Sequence, residues 1–250
     1  MTEGPQIISL GNLLIAFLPA LAVIFILFKW TRDGPESLYA LARMLGQLLI
    51  IGYFLVFIFE SESGWVVLGV LLVMVLVSSW IALRTVKLER RTLLVIATLS
   101  ILIGGGLTLL IISQLVLDLR PFHSAQCLIP LAGMVFASAM NSISICAERF
   151  QSERNRGEES TVAREFAFKA ALIPITNALF AVGLVSLPGM MTGQILAGVD
   201  PVEAVKYQIL IMFVIAGGTG FGVLAAALGG SRLVSDGRHR LRLDRLETVA

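Results

Sequence analysis

Charge is scarce in this sequence. Only 14% of the 250 residues are Asp, Glu, Lys or Arg, against 57% apolar residues and a mean hydropathy of +0.89. A soluble globule of this size needs more charge to cover its surface, so that class is excluded in favour of an integral membrane protein. Histidine is limited to His123 and His239. They are expected on opposite sides of the membrane, which leaves no convergent histidine cluster for catalysis. The two cysteines, Cys127 and Cys146, fall near opposite ends of one expected helix, about 28 Å apart, too far for a disulfide within the chain. No G-x-x-x-x-G-K-[ST] run occurs, so the chain does not cradle nucleotide phosphates in a P-loop. The spans also lack a central ionisable side chain, with Arg43 and Glu60 at helix ends. That counts against a proton- or sodium-coupled carrier, which keeps such groups at depth. The net charge of +2 gives no case for a nucleic acid partner.

What is abundant is apolar runs. At about 20 residues per crossing, the length allows about seven, and the expected fold is an all-α, polytopic membrane protein with 1–250 as a single transmembrane domain. Spans are expected at 7–28, 35–59, 65–83, 93–117, 125–146, from 170 onward, and at 207–228. The first lacks a basic n-region and is too long for a secretory h-region, so it reads as a retained membrane helix. Gly104, Gly105 and Gly106 suggest close helix contact or flexibility, and the spacings Gly218 to Gly222 and Gly189 to Gly193 read as small-residue packing faces.

Sidedness follows from the basic residues. Of the 19 Lys and Arg, only Arg120 and Lys206 fall on the side opposite the rest. This predicts an external amino terminus and a cytoplasmic carboxyl terminus. Segment 229–250 is then a cytoplasmic basic tail suited to anionic lipid.

The sixth span is the irregular one. Pro188 cannot donate to the carbonyl of Leu184, and Gly189 follows it, so a break is expected at Pro188-Gly189. Broken helices in lipid serve substrate handling or conformational change, or are packing kinks. The candidate translocation residues around it are Pro174, Ser186, Pro188, Gly189, Met190, Met191, Gly193 and Gln194. On the preceding span, Pro130 frees the carbonyl of Gln126, and Asn141 should seek a partner inside the protein. Thioethers such as Met190 and Met191 suit soft ions, whereas iron prefers imidazole and carboxylate; a Met pair in a membrane helix more often packs than ligates, and the metal ligands stay unknown.

Two blocks carry a resemblance. GLVSLPGMMTGQILAG followed by DPVEAVKYQI, and IPLAGMVFASAMN from Ile129 to Asn141, closely resemble the UPF0014 family of ABC transporter permeases, which includes FetB-like iron-export permeases and plant aluminium-sensitivity proteins. The second block adds Gly133 and Met134 to Pro130 and Asn141 as candidates for the path. The resemblance implies a multi-pass subunit of the cell membrane (the inner membrane in a bacterium), a homodimer working with two copies of a separate ABC nucleotide-binding subunit. ATP and Mg would sit on that partner, with no cofactor on this chain, which would be a transport subunit rather than an enzyme. Export of metal ions, iron first, is implied; an organic solute such as a sugar nucleotide, or a scaffold without transport, is the alternative. The polar segment 147–169 would be the coupling element, with Arg149, Arg154, Arg156, Glu158, Glu159 and Arg164. Here the chain departs from the family's pattern, carrying GEESTVAREF in a shortened segment.

Overall fold

The computed structural model describes residues 9–31, 34–60, 63–86, 90–118 and 124–234. Every regular element among them is helical: α1 (Leu10–Trp30), α2 (Gly34–Glu60), α3 (Gly64–Ala82), α4 (Arg90–Ile101), α5 (Leu107–Ile111), α6 (Ala125–Asn155), α7 (Ser160–Ala181), α8 (Gly189–Leu196) and α9 (Pro201–Val234). Two π-helical turns, Leu102–Gly106 and Ile112–Val116, flank α5, so that α4 through Val116 runs as one rod with two widened turns. The chain is an all-α polytopic membrane protein, and six of its described helices are long and apolar enough to cross a bilayer. The seventh expected span is the interrupted one, α7 followed by α8. The tail beyond Val234, the loop with Arg120 and His123, and the start before Ser9 lie outside the described residues.

Contacts divide the chain into two compact units, one ending at Glu60 and one starting at Ser61. In the first, α1 and α2 pack on each other. In the second, α6 is central and packs against α3, α7 and α9, while α9 also packs along α4, the first π-turn and α8.

The glycines explain how closely α9 approaches. A Cβ built on Gly104 would lie 2.6 Å from Gly222 Cα and closer still to Gly222 N and Gly218 O, all backbone atoms. Glycine is therefore required at 104, and the expected Gly218 to Gly222 packing face is found. Beside it, Thr219 Oγ1 donates to Ser138 Oγ at 2.9 Å, tying α9 to α6.

Several helices outrun their apolar stretch. The expected end of the fifth span at residue 146 is overtaken, and α6 continues to Asn155 through residues whose charges pair at helical spacing. The last helix starts at Pro201 rather than 207: Asp200 Oδ1 accepts from Val202 N at 2.9 Å and Glu203 N at 3.3 Å. That is an N-cap with proline at the first helical position, where a missing amide costs nothing.

Candidate functional site

The expected break is present and wider than the Pro188-Gly189 step. Helix α7 stops at Ala181, and α8 begins at Gly189 with Pro188 as its N-cap. Gly183 adopts φ +83°, a left-handed conformation that a side chain disfavours. That reversal lets the turn bond to itself. Val182 N donates to Ala178 O, Gly183 N to Ser186 O, and the amides of Leu184, Val185 and Ser186 all to Ala181 O, at 2.8 to 3.2 Å. The break therefore strands no backbone donor at this turn: every amide from Val182 to Ser186 has a local partner. Pro188 O accepts from both Thr192 N and Thr192 Oγ1, at 3.0 and 3.1 Å. The side chains of the turn point out, with Leu184 91% and Val185 84% exposed.

On α8, the two methionines separate. Met191 is buried, Met190 is half-buried, and α8 packs on α9. Gln194 is half-buried, and its Oε1 is buried without a partner. A Cβ on Gly189 or Gly193 would meet nothing within 4 Å, so the expected Gly189 to Gly193 packing face is not used within the described chain. Pro174 sits exposed inside a continuous α7, and residues 176–180 are all exposed, so this end of α7 stands clear of the bundle.

Four of the path candidates share one face of α6. At 100° per residue, Gln126, Pro130, Gly133, Met134, Ala137, Asn141, Ser144 and Glu148 fall within one arc of about 100°. Gln126, Pro130, Ala137, Asn141 and Glu148 are exposed and the other three half-buried. The opposite arc carries the core residues Leu128, Ile129, Leu131, Val135, Phe136 and Ile143, all buried. Asn141 is therefore on the open face, not in the interior where a helix-to-helix hydrogen bond was expected. In lipid a polar amide needs a partner, and the core arc is already filled with apolar side chains.

The polar segment 147–169 is not a loop. It consists of the end of α6 and the start of α7, joined by a tight corner. Gly157 at φ +90° makes the reversal, and Glu159 is the N-cap of α7. Glu153, buried, accepts from Arg149 at 2.6 Å and is paired with Arg156 at 3.4 Å. Arg154, also buried, donates from Nη1 to Glu158 O at 2.6 Å, and its Nε has no partner. Glu158 N donates back to Glu153 O at 3.2 Å. The corner thus brings Arg149, Arg154, Arg156, Glu158 and Glu159 together. Arg164 lies further along α7, lining a groove of about 480 Å³ with Thr161, Glu165 and Phe168 of α7 and Leu224 and Leu228 of α9. On the same helix Glu165 is bonded to Lys169 at 2.6 Å; that hydrogen bond and the ammonium charge hold its carboxyl below the usual range. Glu153 was missing from the sequence-based candidates, although its spacing to Arg149 (four back) and Arg156 (three on) signals helix pairing.

No group of three or more His, Cys, Asp or Glu that could hold a metal ion occurs among the described residues.

Comparison with known proteins places these features in context. Residues 10–234 match the family described as Uncharacterised protein family (UPF0014). The chain is 37% identical over 197 residues to a UPF0014 membrane protein of Synechocystis sp., covering 72% of this chain and 75% of the relative. It is 31% identical over 227 residues to the probable iron export permease protein FetB of Escherichia coli, covering 85% and 86%. It is 33% identical over 198 residues to the protein ALUMINUM SENSITIVE 3 of Arabidopsis thaliana, covering 73% and 71%. No solved structure matches.

Proposed function

Because this chain belongs to the UPF0014 family, we propose that it is the membrane-spanning permease subunit of an ATP-driven exporter, taking its energy from a separate nucleotide-binding chain. The observation that carries the reading is the pairing of a locked polar corner with an interrupted span on the same helix. Helix α7 starts at the corner and ends at the turn around Gly183. Its 22 residues make a rod of about 33 Å. A push on the corner by the partner is carried to the turn along α7, which stays helical through Pro174. The turn, having no buried packing of its own at Leu184 and Val185, is free to respond.

The basic residues flank the corner end, so this end faces the cytoplasm and the amino terminus lies outside. The partner binds ATP and Mg and docks on the corner residues; this chain supplies the passage. The permease works as a homodimer. The open face of α6 lines the passage with Asn141, Gln126, Ser144 and the Met134 thioether, all uncharged. Neutral oxygen donors give weak, exchangeable contact to a hard cation in transit, which suits export of metal ions, with iron first by analogy with the FetB-type relative. Asn141, Gln126 and Ser144 can also hydrogen-bond the hydroxyl and base groups of an organic solute such as a sugar nucleotide, which is the second reading.

The test is ATPase activity of the permease and nucleotide-binding subunit purified together in lipid, scanned across iron, copper, zinc and a sugar nucleotide. Stimulation by iron, lost when residues 151–159 are deleted, is expected. Stimulation that survives the deletion removes the corner from the coupling role, and stimulation by the sugar nucleotide alone replaces the metal reading.

A further inference from the structure

Two amide side chains, one on α8 and one on α9, carry oxygens that nothing in the chain answers. Gln208 is 6% exposed, and its Oε1 is buried without a hydrogen-bond partner. Gln194 is half-buried, and its Oε1 is in the same condition. An acceptor taken out of water without a new donor loses its hydration and gains nothing, so buried acceptors are almost always bonded. Because both oxygens are already enclosed, no further segment of the chain has room to reach them.

Both belong to one seam. Only residues 197–200 join α8 to α9, and the two helices pack on each other as a hairpin. Ala204, Gln208 and Ile211 are the only buried residues between Pro201 and Met212, and Met191 is the only buried residue of α8. At helical spacing the first three make one stripe, and Gln194 shares a face of α8 with Met191, one turn earlier. Counted from the connection, the backbone positions of Gln194 and Gln208 stand about 7 Å apart along the seam. A single water, at hydrogen-bond length, bridges acceptors only about 4 to 5 Å apart. A divalent ion with six water ligands at about 2.1 Å bridges acceptors about 7 to 10 Å apart.

The chemistry selects among occupants. Both unmet groups are neutral acceptors. A hydrated cation presents donors alone, in every direction, whereas a hydroxyl solute brings acceptors of its own. No cluster of His, Cys, Asp or Glu that would strip water from an ion occurs among the described residues. We propose that the seam between α8 and α9 is a site for a hydrated divalent metal ion, held through its water ligands by Gln194 Oε1 and Gln208 Oε1, with α8 as its lid. Helix α8 suits that part, being eight residues long and set between the self-bonded turn and the reversal at Gly198, φ +92°. Lifting α8 hydrates both oxygens, so the groups that take the ion also favour the opening that admits it. The site deepens the permease reading and rests on it for purpose: an ion kept hydrated is released as readily as it is taken.

Manganese binding tests the site. The full chain in phosphatidylcholine nanodiscs is titrated with Mn²⁺, and bound ion is read as loss of the free-ion electron paramagnetic resonance signal. Gln208→Met and Gln194→Met keep the length of the side chain and remove the acceptor; each is expected to weaken binding about tenfold. Gln47→Met, at an exposed position of α2, is expected to leave it unchanged. Hexaamminecobalt(III), whose ligands do not exchange, is expected to displace Mn²⁺, because only contact through ligands is needed. Thermal unfolding separates binding from architecture: removing an unanswered acceptor should leave Gln208→Met as stable as the native chain or more so. A native chain that binds no Mn²⁺, binding unchanged in both variants, or failure of the cobalt complex to compete would overturn the proposal. So would a destabilised Gln208→Met, which would mean the amide is bonded within the protein. Should that variant fail to accumulate, Gln194→Met decides alone. The result is separable from transport. Binding that needs both amides, without metal-stimulated ATPase in the partner, keeps the site and sinks the permease reading; stimulated ATPase with binding indifferent to the amides does the reverse.

Discussion

Gly104→Ala is the most direct probe of the packing that supports the site. The added methyl carbon would lie 2.6 Å from Gly222 Cα, with Gly222 N and Gly218 O nearer still, whereas carbon atoms in contact rest at about 3.5 to 4.0 Å. Because the obstructing atoms are backbone, no rotamer change relieves them, and α9 must move away from the π-turn by about an ångström. Overpacking of that kind costs about 1 to 3 kcal/mol. Alanine also returns some backbone entropy relative to glycine, about 1 kcal/mol in a helix, which blurs the single measurement. Gly106→Ala, in the same turn, removes that ambiguity, since its nearest neighbour would be Leu102 Cδ2 at 4.0 Å. The entropy gain is common to both, so their difference reports the clash alone, and Gly104→Ala is expected to be less stable than Gly106→Ala by about 1 to 3 kcal/mol. Reversible unfolding by denaturing detergent, followed by far-ultraviolet circular dichroism, measures it. Equal stability of the two variants would show that α9 does not lie against Gly104, and the packing of α9 along the first π-turn would fall with it.

The corner gives two further predictions. Glu153→Ala removes the acceptor shared by Arg149 and Arg156, whose side chains are 42% and 64% exposed and so rehydrate; the loss is about 1 kcal/mol of stability, accompanied by a larger loss of partner-ATPase stimulation in the co-purified complex. Lys169→Met releases Glu165, whose carboxyl then titrates closer to the ordinary 4.5, readable by carbon-13 NMR of the labelled side chain. The sign follows from the depressed folded-state value: the Glu165–Lys169 contribution is present above that ordinary value and is lost as pH falls through the lowered one. In the variant that acid-side dependence is weaker.

Much of the helix arrangement is legible in the residues, and the failures have physical causes. Apolar runs locate the spans, since crossing a bilayer sets both length and composition. They misplace helix ends wherever the helix continues into water. Helix α6 reaches Asn155 because charge pairs at helical spacing sustain it after the apolar run stops, and α9 starts at Pro201 because Asp200 caps it. Pro188 marks the break correctly, but its width depends on Gly183, whose left-handed φ no apolar count reveals. Asn141 is expected inside because a polar group in lipid seeks protein. Within the described chain the amide points outward instead, because the opposite arc of α6 is already filled by apolar core residues.

The turn from Val182 to Ser186 carries one more consequence. Its amides from Val182 to Ser186 all close on neighbouring carbonyls, so the donor half of this backbone is satisfied in oil as in water. It can travel between headgroup level and the bilayer's middle without shedding or acquiring solvent at its nitrogens. The cost of such a transfer falls on the carbonyls of Val182 to Val185, which accept no hydrogen bond among the described residues, while the exposed side chains of Leu184 and Val185 are at home in oil.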